Sequence, residues 1–126
     1  MRQLISSGSP WEGPVGYSRA VRVGNVVEVA GTTAQDGAAV TGSDEYGQTK
    51  RILEKIAAAL HEAGATLAQV VRTRIFVTDI TKWEAVGRAH GEVFGNIRPV
   101  TTMVQVAALI DPRLLVEVEA TAITEL

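Results

Sequence analysis

Residues 115–123 read Leu-Val-Glu-Val-Glu-Ala-Thr-Ala-Ile, and their alternation decides the kind of fold. Val116, Val118 and Ala120 fall on one side of an extended chain and Glu117, Glu119 and Thr121 on the other, which is the period of a strand. Upstream, Val100 to Ala107 reads as a second strand, with Thr101, Met103 and Gln105 set against Thr102, Val104 and Val106. A turn around Asp111-Pro112 joins the two. Neither strand is read as having a fully solvated face, so the sheet needs cover on both sides.

Further outward the period changes. Ile52, Leu53, Ile56, Leu60 and Ala63 recur at helical steps behind a capping Ser43 or Asp44, and Gly64 supplies the stop. Val70 to Val77 is again a strand, with Val70, Arg72, Arg74 and Phe76 expected on one face and Val71, Ile75 and Val77 on the other. A second helix, capped by Asp79 or Thr81, carries Trp83, Val86, His90, Val93 and Phe94 on one stripe and ends at Arg98-Pro99. At the N-terminal end, Arg19 to Val23 and Val26 to Ala30 form a hairpin about Gly24-Asn25, whereas Gly31 to Gly42 has no period and reads as a loop or weak edge. The order is ββαβαββ, an α+β domain spanning residues 1–126. Two helices cover one face of such a sheet, and the surplus apolar surface of the other predicts self-assembly.

Composition narrows the function. A net charge of -2 offers no large basic field, so nucleic acid is not an expected partner. The absence of cysteine rules out disulfides, thiolate metal sites and thiol nucleophiles. No run reaches membrane-spanning length and Met1 to Pro10 lacks the pattern of a signal peptide, so the expected location is cytoplasmic, without membrane contact. His61 and His90 lie in the helices with no partner at metal-ligand spacing, and neither a phosphate loop nor a nucleophile elbow is present; no cofactor is expected. His90, on an apolar stripe, suits a hydrogen-bonded packing role. Glu117 and Glu119 share one face and can serve general acid-base chemistry, or can neutralise Arg72 and Arg74 across the sheet. Tyr17, just before the first strand, either packs or offers its hydroxyl to a ligand.

Several segments, taken in order, resemble the Rid family, the reactive intermediate (imine and enamine) deaminases also called the YjgF family. They are Gly16-Tyr17 leading to Val23-Gly24-Asn25 and Gly31, Ala63-Gly64 before Val70-Val71, Phe76-Val77 with Asp79, Arg98-Pro99, and Val116-Glu117-Val118-Glu119-Ala120. The resemblance implies a chorismate-mutase-like fold with a mixed sheet and two helices on one face. It also implies a homotrimer with sheets inward and a small-molecule cleft between subunits, with neither metal nor organic cofactor. Carried onto this sequence, it places the family's water-positioning glutamate at Glu117 and its tyrosine at Tyr17. The arginine that holds a substrate carboxylate falls on Thr101, the serine before Gly31 on Ala30, the asparagine of the second helix on Gly87, and the cysteine after the arginine on Met103. A threonine hydroxyl offers one neutral donor where a guanidinium offers a charged fork, so an altered substrate is implied, with Thr101 and Thr32 selecting it. Arg98 is the nearest substitute cation, or else contacts helix-end carbonyls or a neighbouring subunit. Three functions follow as expectations: an imine or enamine hydrolase, a non-catalytic small-molecule-binding module and, disfavoured by charge, an endoribonuclease or translation inhibitor.

Overall fold

The computed structural model describes residues 1–124. Its sheet has six strands: β1 (Arg2–Ile5), β2 (Ala20–Val23), β3 (Val26–Thr32), β6 (Val70–Val77), β7 (Val100–Gln105) and β8 (Val116–Ile123). They lie in the order β1-β2-β3-β8-β6-β7. The β6/β7 pair is parallel and the others are antiparallel, so the sheet is mixed as expected. A short helix α1 (Glu12–Val15) and a small hairpin of β4 (Gln35–Asp36) and β5 (Ala39–Val40) fill the segments in which no periodicity was legible. Strand β7 ends at Gln105 rather than Ala107, and β3 runs on past Ala30 to Thr32.

Helices α2 (Glu45–Glu62) and α3 (Trp83–Phe94) pack on one face. The Asp44 side chain accepts from the Gly47 amide at 2.8 Å and so begins α2; Gly64, at φ 80°, ends it in the left-handed region. Asp79 accepts from the Thr81 amide and caps a single 3-10 turn, Ile80–Lys82, that leads into α3. Ile52, Leu53, Ile56 and Leu60 of α2 are at most 1% exposed and rest on Val27, Val29, Ile75, Val116 and Val118 of the sheet. Removal of each such side chain from water contributes about 1.5–3 kcal/mol. The buried Gln48 ties α2 to the sheet: its amide group donates to Gly42 O and Arg113 O, and its carbonyl accepts from the Leu115 amide at 2.9 Å, fixing where β8 begins.

Two register shifts reset the faces. One lies between Val70 and Arg72 against β8, so Val70 is buried with Thr73, Ile75 and Val77 while Val71 turns outward, the reverse of the alternation expected at those two positions. The other lies between Val29 and Thr32 and leaves Ala30 and Gly31 out of the ladder. On the uncovered face the apolar surplus collects at the edges, where Leu4 and Val23 are 60% and 54% exposed at one end and Val104 43% exposed at the other. Its middle is charged, with Arg74 paired to Glu119 at 3.3 Å and Thr121 donating to Glu28. Among the described residues no helix is long and apolar enough to cross a membrane.

Candidate functional site

The two glutamates of β8 have different neighbours. Glu119 faces Arg74 across the β6/β8 ladder and is ion-paired with it, so for this residue charge neutralisation is realised. Glu117 faces Phe76, and among the described residues no ion pair reaches it. Its carboxylate lies over Gly31 in the β3 irregularity: a Cβ built on Gly31 would stand 2.1 Å from Glu117 Oε2. A glycine there is what lets the carboxylate occupy this place. Burial pushes the pKa of Glu117 above the usual carboxylate value; the charge of Arg19 acts against that rise and the charge of Glu119 adds to it.

Arg19 is a cleft residue that sequence reasoning passed over. Its Nη1 donates to Gly31 O at 2.7 Å and to Thr32 Oγ1 at 3.1 Å, and its Nη2 reaches the Tyr17 hydroxyl at 3.4 Å. The guanidinium carbon lies 5.6 Å from the centre of the Tyr17 ring. A signal was present, because Tyr17 and Arg19 are two residues apart at a strand entrance and therefore project to one side. Tyr17, Arg19, Ala30, Gly31 and Glu117 line one cleft of about 710 Å³, with the exposed Trp11, Val15 and Ile110 also on its walls. Lys55 lines it as well, its ammonium held by Thr33 O and Gln35 O at 2.7 Å each and by Asp36 at 3.7 Å. Thr32 is 1% exposed; its hydroxyl donates to Ala30 O and accepts from Arg19, so it orients the arginine and has no surface to offer a ligand.

The remaining predicted residues lie elsewhere. Thr101 pairs with Thr73 in the β6/β7 ladder, on the helix side of the sheet, whereas Glu117 points to the uncovered side. Thr101 Oγ1 is 2.8 Å from Thr73 Oγ1, which is 2.9 Å from His90 Nε2 on α3, a chain from an exposed hydroxyl through a fully buried one to a half-buried imidazole. Burial lowers the pKa of His90, so it is neutral at pH 7, and its ring packs on Phe94 at 4.7 Å between centroids. Met103 pairs with Ile75 and packs on the core. Gly87 lies on α3, where an added Cβ would come 4.0 Å from the Trp83 ring. Arg98, at φ 59°, contributes to the helix end through its backbone, whose N–H donates to Phe94 O at 2.8 Å. Among the described residues its guanidinium is in no ion pair. Apart from Thr32 and Arg98, the predicted residues thus form two groups, Tyr17-Ala30-Gly31-Glu117 on one side of the sheet and Thr101-Met103-Gly87 on the other, and no described cleft of one chain holds both. Among the described residues no cluster of His, Asp and Glu is placed to hold a metal ion.

Comparison with known proteins agrees with this architecture. The family model described as Endoribonuclease L-PSP matches residues 12–124. An uncharacterized protein of Streptomyces coelicolor is 45% identical over 94% of this chain and 89% of its own length, and a RutC family protein of Pyrococcus abyssi is 39% identical over 89% and 90%. Among solved structures, Rv2704 of Mycobacterium tuberculosis, a member of the YjgF/YER057c/UK114 family, superposes with a TM-score of 0.91 at 57% identity, covering 98% of this chain and 99% of that one. The Rid family protein YyfA of Yersinia pestis gives 0.86 at 28% identity, covering 98% and 99%. With the mixed sheet, the two helices on one face and the Gly31-Glu117 apposition in place, the chain belongs to the YjgF/YER057c/UK114 family, the family of the Endoribonuclease L-PSP model.

Proposed function

We propose that this protein binds a small metabolite in clefts between subunits and hydrolyses an imine or enamine there to a carbonyl compound and ammonia. The observation that carries the reading is Glu117, a half-buried carboxylate without an ion pair among the described residues, raised in pKa and set over Gly31 beside Tyr17. A carboxylate with a raised pKa is a stronger base than an ordinary one, and as its pKa moves toward the working pH it can both take a proton from water and hand it on. Water held by Glu117 adds to the carbon of a protonated C=N group while its proton passes to the carboxylate. Glu117 then gives that proton to the amine nitrogen of the tetrahedral adduct, the C–N bond breaks with departure of ammonia, and the hydroxyl proton of the adduct passes back to Glu117 as the carbonyl forms; an enamine enters the same sequence as its imine tautomer. Neither a metal nor an organic cofactor is needed to balance these steps.

Assembly into a homotrimer, sheets inward, is supported by the apolar edges of the uncovered face and by the separation of the predicted site into two groups. In such an assembly the Thr101 edge of one copy borders the Glu117 cleft of the next. Thr101 in the position expected for an arginine favours a second reading, a binding module without turnover, since its hydroxyl already engages Thr73 and Pro99 O. An endoribonuclease reading gains no support from the uncovered face, where Arg74 is matched by Glu119 and Glu28 stands near.

Incubation of the purified protein with enzymatically generated 2-aminoacrylate and with other small imines, followed by ammonia release, separates the two readings. Turnover that falls at least about 100-fold in Glu117→Gln is expected for the hydrolase. Equal release by wild type and variant would end the assignment of Glu117.

A further inference from the structure

We infer that Arg19 is the anion-binding residue of the Glu117 cleft and that the ligand it selects carries a carboxylate. The inference rests on the cleft of the proposed function and adds what the ligand must bear. Position 101, where the resemblance placed a cation, holds a threonine on the opposite side of the sheet, yet a guanidinium does reach the cleft from the entrance of β2.

The orientation of Arg19 makes the argument. Both acceptors of Nη1, Gly31 O and Thr32 Oγ1, belong to the protein, so that end of the guanidinium is anchored. The edge made by Nε and Nη2, two parallel N–H groups at the spacing of carboxylate oxygens, has only the Tyr17 hydroxyl at 3.4 Å among the described residues. Among those residues Arg19 is in no ion pair, whereas the other cation of the cleft, Lys55, is matched by Asp36 and two carbonyls. An anchored guanidinium with one open edge, lining a cleft beside a phenol, is a fork for a planar anion. The nearby Glu117 and Asp36 disfavour a second negative charge, which selects a monoanionic carboxylate over a phosphate dianion. Thr32, buried and spent on Arg19, then acts as a positioning residue for the anion site.

The test follows amide shifts of the isotope-labelled full chain at neutral pH during titration with 2-oxobutanoate, 2-butanone and inorganic phosphate. The carboxylate is expected to bind with shifts at Tyr17, Gly31 and neighbours, and more tightly than the ketone or phosphate. Arg19→Gln is expected to weaken it roughly 30-fold or more, and Arg19→Lys, which keeps the charge but not the fork, less. Arg19→Lys also keeps the inference testable if Arg19→Gln disturbs the fold, because a lysine variant that binds 2-oxobutanoate as tightly as wild type overturns the fork. Equal affinity for ketone and carboxylate, tighter binding of phosphate, or an unchanged affinity in a folded Arg19→Gln variant would each overturn it. The outcome is separable from that of the hydrolase reading. Carboxylate binding through Arg19 with no ammonia released from any imine would leave this assignment standing and end the other, and turnover without preference for carboxylated imines would do the reverse.

Discussion

Two polar groupings flank the same sheet, and they are built to opposite plans. On the uncovered side, Glu117, Arg19 and Tyr17 surround an open cleft, with a carboxylate outside any described ion pair and a guanidinium with one edge unoccupied by protein. On the helix side, Thr101, Thr73 and His90 form a closed chain in which each hydroxyl is already engaged and the imidazole is kept neutral by burial. The first arrangement keeps polar groups under-used where a ligand can reach them. The second satisfies them, as a buried polar network must. The difference teaches that position alone, the pairing of this chain's residues with a family's pattern, does not say which residues do chemistry. Thr101 matches the place of a cation and is hydrogen-bonded into the helix side, while Arg19 matches no such place and lies in the cleft.

The comparison can be broken in several ways. The largest effect expected comes from Gly31→Ala. Its added methyl would overlap Glu117 Oε2, and because the obstacle is the tip of a flexible side chain, the carboxylate swings away. Imine turnover should fall about 100-fold, comparable to loss of a general base, with little loss of stability. Near wild-type kcat/KM in this variant would show that the placement of Glu117 is immaterial.

On the helix side the effect should be structural. Thr73→Val removes the hydroxyl shared by His90 and Thr101 and leaves the imidazole nitrogen without its partner, costing about 1–3 kcal/mol in urea unfolding. Thr101→Val, at an exposed edge position, should cost less than about 1 kcal/mol. Equal losses would mean that the chain does not run inward as described.

The smallest effect is a pair of opposed pH dependences. Glu117 has its folded pKa raised above the ordinary 4.5, so its contribution to stability is present below 4.5 and is lost as pH rises through the folded value. His90 has its pKa lowered from 6.5, so its contribution is present above 6.5 and is lost as pH falls through the folded value. The stability difference between wild type and Glu117→Gln should therefore move against the variant's favour toward acid, and that between wild type and His90→Gln should shrink below pH 6.5. Parallel slopes in the two unfolding series would contradict the assigned environments.

Much of the framework was legible in the sequence because it rests on periodicity. The alternation of Val116 to Ala122, the stripe of Ile52, Ile56 and Leu60, and stops such as Gly64 are local signals, and the strands and helices follow them. The site was half legible. Glu117 and Tyr17 were singled out and do line one cleft, but what makes that cleft lies in places a period does not describe. The irregularity of β3 at Ala30-Gly31 brings a carbonyl to Arg19 and a bare Cα to Glu117, and the shift at Val70-Arg72 exchanges two side chains between faces. Strand β1 was missed for a related reason: four residues with a single buried side chain form a strand only because β2 offers an edge to pair with.

The central claim we propose is that the two groupings meet only across two copies, the Glu117 cleft of one completed by the Thr101 edge of the next. Complementation tests it most directly. Glu117→Gln removes the chemistry from one half, and Thr101→Trp fills the other half from an exposed edge strand. Each variant alone should lack imine turnover. After the two are unfolded together in equal amounts and reassembled, random mixing places both intact halves at about a quarter of the clefts, so about a quarter of wild-type activity should return. A mixture as inactive as its parts, or a Thr101→Trp protein as active as wild type, would contradict a site divided between subunits.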